Sequence, residues 1–292
     1  MFRDHGTHHP AIGASARVAY RSPQNSMLDV EFSQFSDLGR VRRGNEDFLG
    51  SSLPATPAEA RTRGWLFALA DGVGGHDQGE IASRTAVECL VAGFREAQAG
   101  EPHTALLPRL VQTANARVLE AGHAAVANGA AMATTIVACA LRYDHAVVAH
   151  VGDSRCYLVR RGRASLLTRD HTIASEHVRL GLLSAEEAAG AETRHLLSRS
   201  LGAELMVNVD TDDQQIQAGD VLVLCSDGLH NSLEASELAA VAGRDSDLHS
   251  SAERLVAIAN QRDGSDNISV LLVRVRSVER VGMYRGRPYR LP

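Results

Sequence analysis

The chain has 292 residues, 44 % of them hydrophobic, and a formal net charge of −5. At this length it can bury roughly 75 % of the surface its unfolded form exposes, as one large domain or two small ones, so it needs no disulfide framework. The mildly acidic balance lacks the basic footprint of a nucleic-acid binder, and the 30 basic residues are all arginine, which excludes lysine Schiff-base chemistry.

In chain order, residues 1–30 are rich in Ser, Pro, Gly and His, carry no secretory pattern, and read as a flexible leader. Asp29–Ser36 alternates as a strand, and Leu49–Arg63, with two prolines, reads as a loop. Trp65–Ala70 is an apolar strand ending abruptly at Asp71-Gly72. Helical spacing follows over Gly79–Ala97 and Thr104–Asn128. Ala133–Leu141, Ala146–Val151, Arg155–Arg160 and Ala164–Leu167 then read as successive strands. Helices are expected near Thr172–Leu182 and Ser184–Ala189, followed by a polar connection through Arg199. Val207–Asp212 and Val221–Cys225 read as strands, Glu234–Ala242 and Leu248–Gln261 as helices, and Ile268–Val275 as a last strand. An Arg-rich exposed tail is expected over 276–292.

Strands in hairpin-like runs and helices in pairs do not fit regular β–α alternation. Antiparallel sheets covered by helix pairs, an α+β fold without an internal linker, fit better. Cys89, Cys139, Cys156 and Cys225 lack zinc spacing and fit thiols in a reducing compartment. The longest apolar stretch, around Ala130–Leu141, falls short of the ~20 residues of a spanning helix. A cytoplasmic monomer with neither membrane nor nucleic-acid partner is therefore expected.

Asp47, Asp71, Asp227 and Asp266 each stand at or just beyond the edge of an apolar run. Alone, each is an ordinary turn or cap residue. Together they are a candidate set of oxygen ligands for hard cations. Two like charges at ~4 Å repel by roughly 4 kcal/mol at an effective dielectric near 20, so gathered carboxylates need cations. Oxygen-only ligation points to Mg²⁺ or Mn²⁺. A pair of such ions can activate water for attack on phosphorus. Arg42, five residues before Asp47, is then either a fork for phosphate oxygens or a surface arginine beside Arg40 and Arg43.

Six stretches in order resemble the PP2C-type (PPM) metal-dependent protein serine/threonine phosphatases in their compact bacterial form. They are 36–47 (SDLGRVRRGNED), 70–83 (ADGVGGHDQGEIAS), 151–155 (VGDSR), 167–172 (LTRDHT), 225–229 (CSDGL) and 264–270 (GSDNISV). The resemblance spans roughly 31–275 and implies an α-β-β-α sandwich, two antiparallel sheets flanked by helix pairs. It implies two Mn²⁺ or Mg²⁺ ions bridged by Asp71, with the Gly72 carbonyl binding one of them and Asp227 and Asp266 completing the first site. Asp47, with Glu46, would hold metal-bound waters, Asp153 with Asp227 would form a third site, and Arg42 would bind phosphate. Residues 172–201 match the flap beside the active site. The partners implied are phosphorylated proteins and a serine/threonine kinase of the same pathway.

Three positions depart from the family pattern. Val73 replaces a histidine proposed as general acid, so the leaving-group proton must come from elsewhere, and nearby His76 is expected to be structural. Asn231 stands where many members place an aspartate bonded to a metal-bound water. The flap ends Arg194-His195 where relatives commonly have Arg-Asn. Two rival readings are a pseudophosphatase binding module and a partner-switching phosphatase acting on an anti-sigma antagonist.

Overall fold

The computed structural model describes residues 22, 28–73, 77–125, 132–243, 247–278, 281–284 and 287–290. The predicted leader falls mostly outside these residues, as do Gly74, Gly75 and His76.

Two antiparallel sheets pack face to face. One is ordered β1–β11–β10–β7–β8, with β1 Leu28–Asp37, β7 Arg155–Arg160, β8 Arg163–Leu166, β10 Val221–Cys225 and β11 Ile268–Val278. The other runs β2–β3–β5–β6–β9, with β2 Asp47–Ser52, β3 Trp65–Val73, β5 Ile136–Arg142, β6 His145–Val151 and β9 Asp210–Gln215. The short β4, Ala133–Thr134, pairs with the end of β3. Helices α2 (Asp77–Glu96) and α3 (His103–Ala125) cover the second sheet. The first is covered by α7 (Ala235–Ala242) and α8 (Leu248–Arg262).

The two-residue period of a strand sorts side chains between these layers. Along β3, Leu66, Ala68 and Ala70 pack under α2 and α3, whereas Trp65, Phe67 and Leu69 enter the seam between the sheets. On β10, Leu222 and Leu224 enter the same seam, and Val221, Val223 and Cys225 face α7 and α8. Phe32 meets Phe67 across the seam, with ring centroids 5.1 Å apart. The parity of β3 then carries Asp71 to the seam side, where the apolar filling ends.

Several boundaries differ from the sequence expectation. The predicted loop at 49–63 contains most of β2 and the helix α1, Pro57–Thr62. Thr56 caps this helix by accepting from the Glu59 N–H, and Pro57 stands in its first turn, where proline is compatible with a helix. The strand expected at Val207–Asp212 forms instead over Asp210–Gln215, because the edge of β6 supplies its partner. Val207 and Val209 pack against the α2–α3 layer. The short helices α4 (Ile173–Arg179), α5 (Ala185–Gly190) and α6 (Asp227–His230) and a 3-10 turn at Glu192–His195 complete the chain. The expected tail starts inside β11, where Arg276 pairs with Glu31 of β1 at 2.8 Å. Beyond it, β12 (Val281–Tyr284) and β13 (Arg287–Arg290) form a hairpin. All four cysteines are free thiols.

Candidate active site

The carboxylates converge at one end of the seam, delivered by both sheets. Asp47 opens β2 and sits opposite Asp71 in the β2–β3 register. Asp227 begins α6 just past β10, and Asp266 stands two residues before β11. Asp153 lies in the tight turn between β6 and β7. All five expected aspartates are thus brought together. The charges of Asp47, Asp227, Asp153 and Asp266 all act on Asp71.

Burial and mutual repulsion govern their ionisation. Burial first, then the four neighbouring carboxylates, push Asp71 well above the ordinary carboxylate range. Burial pushes Asp47 up to about 7, against hydrogen bonds from Ser269 and Ser226 and with the charges of Asp227 and Asp266. Asp153 is also pushed up to about 7, by burial and then by Asp227 and Asp170. Asp227 moves the same way through burial and Asp266. Two buried oxygens, Asp47 Oδ1 and Asp227 Oδ1, have no hydrogen-bond donor. Orphaned anionic oxygens inside a repelling cluster are the signature of a site built for cations, so the residues present fit divalent metal.

Arg42 and Glu46 stand at the rim. Arg42 Nη2 donates to Asp266 Oδ2 at 2.7 Å, so the expected phosphate fork lies against the cluster while remaining about half exposed. Asn231 reaches Asp227 Oδ2 at 3.4 Å. Val73 is 42 % exposed beside the site and has no proton to give.

Gly72 is buried, and its N–H donates to the Glu46 carbonyl at 3.0 Å. A Cβ there would lie 2.2 Å from the Gly79 carbonyl oxygen at the start of α2. Close backbone approach, not a positive φ, is why glycine is needed. Gly72→Ala should therefore destabilise the protein by about 1–3 kcal/mol through overpacking. Urea denaturation measures this, and a midpoint within error of wild type would refute the clash.

Several supporting residues escaped the sequence reading. Asn267 accepts from the Glu46 N–H through Oδ1 and donates through Nδ2 to the Leu38 and Gly44 carbonyls. One amide thus fastens the Arg42–Asp47 segment to the strand end carrying Asp266. Thr135 Oγ1 accepts from the Asp71 N–H at 2.9 Å, while Thr135 N–H and Thr134 Oγ1 both donate to the Asp71 carbonyl. Ser226 Oγ donates to Asp47 Oδ2, and neutral His230 donates through Nε2 to the Asp153 carbonyl at 3.0 Å. Only Asn267 had a visible signal, its place beside Asp266.

A family model described as protein phosphatase 2C matches residues 54–272. The chain is 36 % identical over 256 residues to the serine/threonine phosphatase stp of Listeria innocua, covering 86 % of this chain and 96 % of that one. It resembles the solved S. agalactiae serine/threonine phosphatase with a TM-score of 0.77 and 35 % identity, over 85 % of this chain and all of that one. The catalytic domain of the serine threonine protein phosphatase PstP, solved with two manganese ions, matches with a TM-score of 0.70 and 29 % identity, over 85 % and 99 %.

Proposed function

The chain belongs to the protein phosphatase 2C family, and from that premise we propose that its five gathered aspartates hold two divalent cations, with a third at Asp153, beside a phosphate-binding Arg42. Its activity is that of a protein serine/threonine phosphatase. The observation that carries the metal assignment is the pair of donorless buried oxygens on Asp47 and Asp227. In this reading Asp71, Asp227 and Asp266 would hold the first ion, Asp71 would also serve the second, and the Gly72 carbonyl would bind one of the two. Asp47, Glu46 and Asn231 hold ordered water. Manganese or magnesium, when bound there, supplies Lewis acidity toward water and the phosphoester.

The residues of the chain do the rest. Arg42 orients the phosphate oxygens, and the Asn267 and Thr135 hydrogen bonds keep the ligand segments from opening under mutual repulsion. The catalytic domain covers about 31–275, with the flap at 172–201 supplying substrate contacts. Phosphoseryl and phosphothreonyl proteins are the substrates, and each such group requires a kinase that installs it, so a serine/threonine kinase shares the pathway. No helix among the described residues is long and apolar enough to cross a membrane. A pseudophosphatase is not favoured, because every ligand carboxylate is retained. Nothing favours an anti-sigma antagonist as the substrate.

The test is manganese-dependent hydrolysis of an aryl phosphate and of a phosphothreonine peptide, abolished by EDTA. Protein that binds manganese and hydrolyses neither would overturn the reading. Arg42→Ala should raise KM by on the order of tenfold while leaving kcat within a few-fold, because its role is to place phosphate. An unchanged KM removes that role.

A further inference from the structure

Arg155 and Arg160, half-buried on β7, are each matched to a carboxylate. Arg155 donates to both oxygens of Asp170 at 2.9 and 2.7 Å, and Arg160 to both of Asp220 at 2.8 and 2.7 Å. Arg142, at the end of β5, is half-buried too and has no such partner. Its Nη1 donates to the Thr62 carbonyl at 2.8 Å, and its guanidinium carbon lies 5.7 Å from the centroid of the Tyr143 ring. Burial pulls the Arg142 pKa down, and only Tyr143 acts against it. A guanidinium has five N–H donors, so one carbonyl leaves most of them unused.

Arg63 belongs to the segment that Arg142 touches. Gly64, with a φ of +80, brings this segment against β5 so closely that a Cβ there would lie 3.1 Å from Arg142 Cβ. Arg63 Nε is buried and has no acceptor, a rare state for a donor that water does not reach. The Arg63 backbone is fixed on both sides. Its N–H donates to the Glu59 carbonyl at 2.8 Å, and its carbonyl accepts from His103 Nε2 at 2.7 Å. Burial, then the Arg142 charge, lowers His103 to about 4, so that ring is neutral. Arg61, exposed in the last turn of α1, adds a third guanidinium at the same helix end. Among the described residues neither Arg63 nor Arg142 is paired with a carboxylate. The place is remote from the metal cluster. β5 runs from Ile136, next to the Thr135 that holds Asp71, to Arg142, about 20 Å further on.

We propose that Arg142 and Arg63, at the pole of the second sheet away from the metal cluster, form a binding site for a phosphate-sized oxyanion. The planar fork of Arg142 matches two oxygens of a tetrahedral anion, and Arg63 Nε supplies the donor that the fold leaves without an acceptor. The anion does for this pair what Asp170 and Asp220 do for Arg155 and Arg160. It lies too far from Asp71 to be hydrolysed, so the site recognises its ligand without reacting with it. The same chemistry is offered by free inorganic phosphate, the product of hydrolysis, and by a phosphoryl group carried on a protein.

The test is thermal melting of the full-length, EDTA-treated protein, whose catalytic cluster then has no cation to attract phosphate. For a Kd on the order of 1 mM, 100 mM inorganic phosphate should raise the melting temperature by roughly 5 °C over sodium chloride of equal ionic strength. Arg142→Met and Arg63→Gln should each lose most of that rise, whereas Arg42→Ala, at the metal end, should keep it. Each rise is read against the same variant in chloride, so a lower starting melting temperature leaves the comparison intact. If Arg142→Met does not fold, Arg63→Gln carries the comparison. An equal rise in all the proteins is the general effect of an excluded salt and overturns the site, as does a rise lost only in Arg42→Ala. A phosphothreonine peptide is the second arm. Arg63-dependent protection by the peptide at lower concentrations than phosphate assigns the anion to a partner protein, and the reverse order assigns it to free phosphate. Absence of such protection by either overturns the site.

Discussion

Asp71→Asn lowers turnover of an aryl phosphate by about three orders of magnitude at saturating Mn²⁺, while the EDTA-treated variant melts at a higher temperature than the EDTA-treated wild type. Both effects follow from one position. Asp71 lies on the seam side of β3, opposite Asp47 and within reach of the charges of Asp227, Asp153 and Asp266. An amide keeps the shape and one acceptor but removes the charge that two cations would share, and loss of a group acting as part of a unit is seldom graded. Without cations, that same charge is a burden, since burial and four neighbours already oppose ionisation at Asp71. Removing it relieves the fold, a trade of stability against activity common at functional sites. Turnover within tenfold of wild type would remove Asp71 from the centre of the site. A lowered melting temperature in EDTA would show that the carboxylate serves the fold.

The second large effect is a pH-dependent loss of stability in the cation-stripped protein. Asp47 and Asp153 rise in the folded chain from an ordinary value of 3.8 to about 7, and Asp71 rises well above its ordinary value. A raised acid binds more protons folded than unfolded, so its stabilisation is complete below the ordinary value and disappears as pH rises through the folded one. His103, His171 and His230, each lowered to about 4 mainly by burial, work the other way. They favour the fold increasingly as pH rises from 4 to 6.5, and so offset the aspartates across that interval. Above 6.5 these histidines are neutral in both states and the aspartates act alone. The melting temperature in EDTA should fall by roughly 5 °C from pH 6.5 to 8, and saturating Mn²⁺ should remove the slope. A flat profile in EDTA would mean that the carboxylates are not crowded in solution.

Asp47, Asp71, Asp227 and Asp266 were legible because each stands at a strand end, whereas Asp153 came only from the family resemblance. An apolar run that stops at an aspartate can be read without knowing what lies beside it, and Asp71 after Trp65–Ala70 is the clearest case. Their gathering was not legible from spacing, since Asp47 and Asp266 meet only through the pairing of distant strands. The supporting hydrogen bonds were invisible for a related reason. Thr135 and Asn267 act on backbone groups far along the chain, and no sequence pattern marks which carbonyl an amide will find. Two of the errors in the fold fall on edge strands. β2 and β9 have polar sequences, DFLGSS and DTDDQQ, and exist because β3 and β6 present an unpaired edge.

The order of strands in the first sheet has a consequence for synthesis. Its N-terminal strand, β1, pairs along its whole length with β11, the last long strand to leave the ribosome, and β11 also separates β1 from β10. A nascent chain lacking Ile268–Val278 leaves β1 unpaired and Asp266 without its anchoring strand. Contacts this distant along the chain close late in folding. A polypeptide stalled during translation therefore has no catalytic power to release, however much of its second sheet has already formed.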